Sequence, residues 1–204
     1  MNASLASRSA LADSPSQMDA PAEETSPLMR FELPPLAMEI RALQEADVRL
    51  LEWHGGSDLR LFYDWQWAQH YAQKREVLVA VLNDVPIGQV AIQWQDKPSH
   101  PRIPDIQSLR VQDAFRGLGI GSRLLEACET QARSRGFEQI GISVGLENHG
   151  ARRLYERKGY HPSGAPYEDH WDYINARGEL VVMREVVLDL IKILRHEQNS
   201  LSRD

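Results

Sequence analysis

Three glycines in five residues, within Arg116-Gly117-Leu118-Gly119-Ile120-Gly121-Ser122, separate an apolar run marked by Ile106, Leu109 and Val111 from a helical stretch, Gly119 to Arg135. A strand that passes so abruptly into a helix needs backbone conformations open mainly to glycine. Several N–H groups then face one concavity, and the positive end of the helix dipole joins them, which together suits a phosphate group. A tight turn with no ligand would carry the same glycines. No Gly-Lys-Ser/Thr follows, which removes a P-loop, and Leu124 stands where a dinucleotide fingerprint starting at Gly119 needs Gly or Ala. Neither a nucleoside triphosphate nor NAD is the expected ligand.

Around this turn the chain divides into a tail, a body and an end. Residues 1–37 hold five of the 11 prolines, many Ser and Ala, and Phe31 as their one aromatic. Such a segment buries too little apolar surface to offset its ordering entropy, so it reads as a disordered leader. It lacks the apolar core of a secretory signal, and Asp13, Asp19, Glu23 and Glu24 weigh against a transit peptide, although Met1 to Ala12 carries no acid. From Met38 the pattern predicts a strand over 38–42, helices near 44–53 and 58–75, and strands over 76–82 and 85–95. Asn83-Asp84 makes those last two a hairpin. The helix after the glycines ends at Gly136, a left-handed cap, and is followed by a strand over Gln139 to Val144 and a helix from His149 to Lys158 closed by Gly159. Strands near 159–162 and 179–186 complete a body over 38–186. That order implies an α/β fold: a mixed sheet flanked by helices in a single domain. Val187, Leu190, Ile191 and Leu194 recur at helical spacing, so residues 187–204 are expected to be a C-terminal helix and tail, packed on the domain or forming a homodimer contact.

A net charge of −6 argues against general affinity for nucleic acid or anionic membrane and suits a cationic substrate. No apolar run approaches the ~20 residues of a membrane helix. Cys128, the single cysteine, excludes an internal disulfide and a multi-thiolate metal site and fits a cytoplasmic location. It falls in the helix pattern beside Leu124 and Leu125 and reads as a buried apolar residue, not an acyl-carrying nucleophile. The seven histidines include no His-Glu-x-x-His, and no metal is expected.

Leu109-Arg110-Val111, then Arg116-x-x-Gly119-x-Gly121, and downstream Asn148-x-x-Ala151-x-x-Leu154-Tyr155-Glu156-Arg157-Lys158-Gly159-Tyr160, together resemble the GNAT superfamily of acetyl-CoA-dependent N-acetyltransferases. The likeness covers roughly Met38 to Glu185 and is strongest from Ile106 to Tyr160. It implies that backbone amides of Arg116, Gly117, Gly119, Gly121 and Ser122 surround the coenzyme A pyrophosphate. It implies also that Leu109 and Val111 pair with the pantetheine arm as though it were an added strand, the Leu109 N–H donating to the thioester oxygen. That requires the strand of Leu109 to splay from the next. The resemblance implies further that Asn148 caps the following helix and contacts the coenzyme arm, and that Tyr155 protonates the departing thiolate, a role open to a phenol with a pKa near ~10.

An amine attacks a thioester only when deprotonated, so direct attack in a ternary complex needs a route for a proton. No carboxylate falls mid-strand before the glycines. Asp105, at that strand's start and acting through water, is the candidate base, and the cluster Glu168, Asp169, Asp172 of a late loop is the second. With Trp171 these acids would receive the acceptor through charge pairing and cation–π contact. The expected activity is acetyl transfer from acetyl-CoA to a small-molecule primary amine. The alternatives are an amine on a peptide or protein, and a non-catalytic acyl-CoA-binding regulatory module.

Overall fold

The computed structural model describes residues 37–53, 59–95 and 97–194. The leader expected over 1–37 lies outside the described residues, Ala37 excepted, as does everything after Leu194. The elements run β1 (Met38–Ala42), α1 (Asp47–Leu50), α2 (Arg60–Tyr71), β2 (Arg75–Leu82), β3 (Val85–Gln93), β4 (Asp105–Val111), α3 (Ile120–Ser134), β5 (Gln139–Gly145), α4 (His149–Arg157), β6 (His161–Ile174) and β7 (Leu180–Ile193). One seven-stranded sheet has the order β1-β2-β3-β4-β5-β7-β6, with β4 and β5 parallel and every other neighbouring pair antiparallel. This is the mixed, helix-flanked sheet that the sequence implies.

The turn chemistry places the elements. Asn83 and Asp84 sit at φ 48° and 64°, the paired left-handed conformation of a type I′ turn, and Leu82 pairs with Val85 across it. Gly136 and Gly159 close α3 and α4 at φ 81° and 84°. α3 presents Leu124, Leu125, Cys128 and Ala132 to one face of the sheet, where Leu78, Val90, Ile92, Ile106, Ile140 and Ile142 meet them with Tyr155 and Tyr160. Under α1 and α2 the opposite face holds a second core of Val48, Leu51, Tyr63, Val77, Val79, Val81 and Ala91. On β5 the alternation is sharp: Ile140, Ile142 and Val144 join the first core, while Gly141, Ser143 and Gly145 face the other way.

Two expectations are corrected here. The C-terminal helix is not formed: Val187 to Ile193 are the end of β7, paired with Gly145 to Gln139 of β5, so the folded body extends past 186. Residues 187–190 are buried on both sides of the strand, which erases the period-two signal. The late loop is not a loop. Glu168, Asp169, Trp171 and Asp172 lie within β6, an edge strand whose partners Val186 to Val182 belong to the half of β7 that extends beyond β5.

Candidate active site

The parallel pair β4 and β5 touches at only two rungs, Asp105 with Gly141 and Ile106 with Ile142. Beyond them the strands part. On the β3 side the register jumps from Ala91–Gln107 to Gln89–Arg110, so Ser108 and Leu109 bulge out opposite Val90. Ser108 sits at φ 53°, a left-handed conformation that costs a non-glycine residue about 1–2 kcal/mol. Leu109 has no register partner on either neighbouring strand. The splay required of this strand is therefore present, and the bulge that produces it carried no glycine to announce it.

The Gly-rich turn lies at the open end of this gap. Gly117 and Gly119 adopt φ 81° and 82°, and Gly119 occupies the N-cap of α3 with no side-chain cap. The first backbone bond into the helix is Arg123 N–H to Gly119 C=O, which leaves the amides of Ile120, Gly121 and Ser122 without an intrahelical acceptor. An added Cβ at Gly117 or Gly119 would meet nothing within 4 Å, so these glycines serve conformation rather than space. At Gly121 it would lie 3.5 Å from Leu154 Cδ2 and 3.9 Å from Val111 Cγ2, so the start of α3, the end of β4 and α4 converge there. Arg116 is exposed, ion-paired with Asp113 at 2.8 Å and donating from Nε to Val111 C=O at 3.3 Å.

On α4, the Asn148 side chain accepts from Ala151 N–H at 3.1 Å, a true N-cap. Tyr155 is 6% exposed with its ring tilted against Tyr160, and burial pushes its phenol up to about 12. It is thus held as the neutral, proton-bearing form. Cys128 is fully buried, and burial pushes its thiol well above the usual range. The turn amides, Val111, Asn148 and Tyr155 share the α3/α4 side of the sheet.

Asp105 lies on the opposite face and is 1% exposed, a correction to its reading as a carboxylate reached through water. Lys97 Nζ lies 3.3 and 3.4 Å from its two oxygens, His100 Nε2 3.0 Å from Oδ1, and Gln107 Nε2 donates to Oδ2 at 3.1 Å. Lys97 also bonds Ser143 Oγ and lies 3.6 Å from Asp189, which accepts from Ser143 at 2.5 Å and from the Tyr167 hydroxyl at 3.1 Å. Burial disfavours the charge on Asp189, but Ser143, Ser99, Lys97 and Tyr167 outweigh it and hold the carboxyl below its ordinary range. Burial likewise opposes the charge on Lys97, and Asp105 with Asp189 reverse that, so its pKa is raised. Lys97, His100 and Asp189 went unread in the sequence because they are scattered over 92 positions and carry no spacing motif.

Of the late cluster, Asp169 and Trp171 follow Tyr167, whose hydroxyl donates to Asp189 of β7, on one face of β6, whereas Glu168 and Asp172 alternate to the other side, Glu168 pairing with Arg184 at 3.2 Å. A further carboxylate shares the Asp189 face: Glu185 lies over Gly145, where an added Cβ would fall 1.7 Å from Oε1. The structure therefore divides the four expected acceptor residues rather than gathering them. Among the described residues no group of His, Cys, Asp and Glu could hold a metal, and no helix is long and apolar enough to cross a membrane.

A family model described as the acetyltransferase (GNAT) family matches residues 39–160, from the first strand through Tyr160. The chain belongs to this family. An uncharacterised N-acetyltransferase of Methanocaldococcus jannaschii is 31% identical over 113 residues, 52% of this chain and 50% of that one. The aminoalkylphosphonate N-acetyltransferase of Salmonella typhimurium is 35% identical over 86 residues, 42% and 56% of the two chains. The chain thus spans about half the length of these curated relatives. Among solved structures, yncA of Salmonella typhimurium, determined with its cofactor acetyl-CoA, superposes at a TM-score of 0.57 with 18% identity, covering 81% of this chain and 99% of that one. The likeness is one of GNAT fold.

Proposed function

We propose that this chain is an N-acetyltransferase that moves acetyl from acetyl-CoA to a primary amine by direct attack in a ternary complex. The observation that carries the reading is the junction of a splayed, bulged β4 with the uncapped start of α3. Unpartnered backbone at Leu109 and free amides at Ile120, Gly121 and Ser122 belong to one opening, whose chemistry fits an elongated ligand ending in a diphosphate. Acetyl-CoA supplies the acetyl group as an activated thioester. The amides of residues 116–122 grip the diphosphate, Val111 and Asn148 guide the arm, and the Leu109 N–H polarises the carbonyl oxygen. Tyr155, kept neutral by burial, delivers a proton to the leaving sulfur. Cys128, buried and held as a thiol, is outside this chemistry.

The acceptor approaches from the face that bears Asp105, Asp189, Glu185 and Asp169, where carboxylates favour an organic cation. A polyamine-like or aminoalkyl small molecule suits that face better than an acidic peptide. The buried single cysteine suits a reducing, cytoplasmic setting. The test is Tyr155→Phe assayed with acetyl-CoA and a panel of amines including spermidine and 2-aminoethylphosphonate. Turnover should fall roughly 100-fold while calorimetric acetyl-CoA affinity stays within about twofold. Equal turnover removes Tyr155 from the chemistry. Tight acetyl-CoA binding with no turnover of any amine by the wild type makes the protein an acyl-CoA-binding module instead.

A further inference from the structure

Asp105 and Asp189 are both buried, and one lysine touches both. Asp105 also feels the buried guanidinium of Arg75, which donates to Gln107 Oε1 at 2.6 Å, so the two carboxylates are set against two cations in a site largely removed from water. The His100 side chain lies against both carboxylates. Its ring lies between the carboxylates, with Nε2 3.0 Å from Asp105 Oδ1 and Nδ1 3.6 Å from Asp189 Oδ2. It fits because β5 carries glycine beneath it, where a Cβ on Gly141 would fall 2.6 Å from Nε2. The other groups around the ring are Lys97 and Ser99 of the β3–β4 connection, Gln107 of β4, Ser143 of β5 and Tyr167 of β6.

Asp105, an acceptor when ionised, accepts from Nε2–H, and in the neutral ring this assigns the lone pair to Nδ1. That lone pair faces the Ser99 hydroxyl at 3.0 Å, and Ser99 is exposed whereas His100 is not. An exposed hydroxyl thus leads to a buried basic nitrogen oriented by a carboxylate. The whole stands at the rung Asp105–Gly141, the first of the two that join β4 and β5 before they part.

Building on the acetyltransferase reading, we propose that Ser99, His100 and Asp105 form a proton relay for the acceptor: His100 Nδ1 takes the proton of the incoming ammonium through the Ser99 hydroxyl, and Asp105 and Asp189 hold the resulting imidazolium. The balance closes. R–NH3+ gives one proton to His100, so the positive charge moves from the amine to the imidazole and the total is conserved. The neutral amine then forms the C–N bond as the C–S bond breaks, its second proton passes to sulfur by way of Tyr155, and His100 later returns its proton to water. Asp105 itself, with its oxygens committed to Lys97, His100 and Gln107, acts as the orienting group.

The test separates proton removal from folding by the basicity of the nucleophile. Each alkylamine of the panel that turns over is assayed beside its aminooxy isostere, R–O–NH2, which is already neutral at pH 7 and has no proton to lose before attack. His100→Gln should lower kcat/KM roughly 100-fold for the alkylamine but under about threefold for the isostere. Ser99→Ala, at an exposed position where folding is not at stake, should lower the alkylamine value roughly tenfold and spare the isostere alike. Equal losses for both nucleophiles, or none for either, overturn the relay. So does acetyl found on Ser99 by mass spectrometry after incubation with acetyl-CoA alone, since Ser99 would then be a nucleophile. Wild-type protein that fails to bind acetyl-CoA in calorimetry, or binds it and acetylates no amine, overturns the acetyltransferase reading and takes the relay with it.

Discussion

Replacing Gly141 by alanine tests the packing on which the buried cluster depends. An alanine Cβ would lie 2.6 Å from His100 Nε2 and 3.1 Å from Cδ2 and Cε1. Unstrained contacts of this kind begin near ~3.5 Å, so the ring must withdraw by about 1 Å. Withdrawal lengthens the 3.0 Å bond from Nε2 to Asp105 beyond hydrogen-bonding distance. A bond to a charged group contributes about 1.5–3 kcal/mol, against which alanine in a strand interior recovers about 0.5–1 kcal/mol relative to glycine. The net loss is about 1–2 kcal/mol, which for a domain of this size lowers Tm by about 2–8 °C. The assay is thermal unfolding followed by circular dichroism, run as a double-mutant cycle with His100→Ala. Once the ring is gone the methyl group has room, so Gly141→Ala should become neutral or stabilising in the His100→Ala background. A Gly141→Ala variant that is as stable as the wild type, or that loses the same amount in both backgrounds, would refute the placement of the imidazole over β5.

The remaining predictions concern the turn and the tyrosines. Gly119→Ala must either hold φ 82°, at about 1–2 kcal/mol, or relax and re-aim the amides that follow, so acetyl-CoA affinity measured by calorimetry should weaken roughly tenfold. Unchanged affinity would mean that these amides are not the diphosphate site. Burial pushes Tyr63 and Tyr155 up to about 12, and Tyr160 further still. Because the folded pKa exceeds the unfolded one, this stabilisation is complete below pH ~10 and is lost as pH rises toward 12. The urea midpoint should therefore fall steeply above pH 10, with three phenols absorbing late at 295 nm. Native protein in which every phenol ionises together near pH ~10 would contradict the burial of α4 against the sheet.

What was legible in the sequence follows from which constraints are local. A type I′ turn at Asn83-Asp84, left-handed caps at Gly136 and Gly159 and an Asn148 cap are each written in a few adjacent residues, and each stands in the structure as read. β7 failed for the opposite reason. Val187, Leu190, Ile191 and Leu194 match a helical face, yet the stretch lies between β5 and β6 with both sides covered near its end, so no period separates strand from helix there. The acids of β6 read as a loop because that part of the hairpin runs past β5 and is largely exposed, giving a strand the composition of a loop. Ser108 gave no warning of a left-handed bulge, since the residue that usually marks one is glycine.

The cluster behind Asp105 shows most clearly why chemistry of this kind escapes a linear reading. Lys97, His100, Asp105, Ser143, Tyr167 and Asp189 come from three strands and one connection of the sheet plus its edge strand, and only the register of β5 against β4 and β7 brings them together. In sequence Asp189 is a lone acid between Leu188 and Leu190, apparently a solvated position on an apolar helix. Once the segment is a strand, the same alternation that buries Leu188 and Leu190 against the α3/α4 core turns Asp189 to the opposite face, beside Ser143. The error in secondary structure and the missing site residue are thus one event. Had Val187 to Ile193 formed a helix, Asp189 could not have met Ser143 as its cross-strand partner, and His100 would have kept only Asp105 of its two carboxylate neighbours.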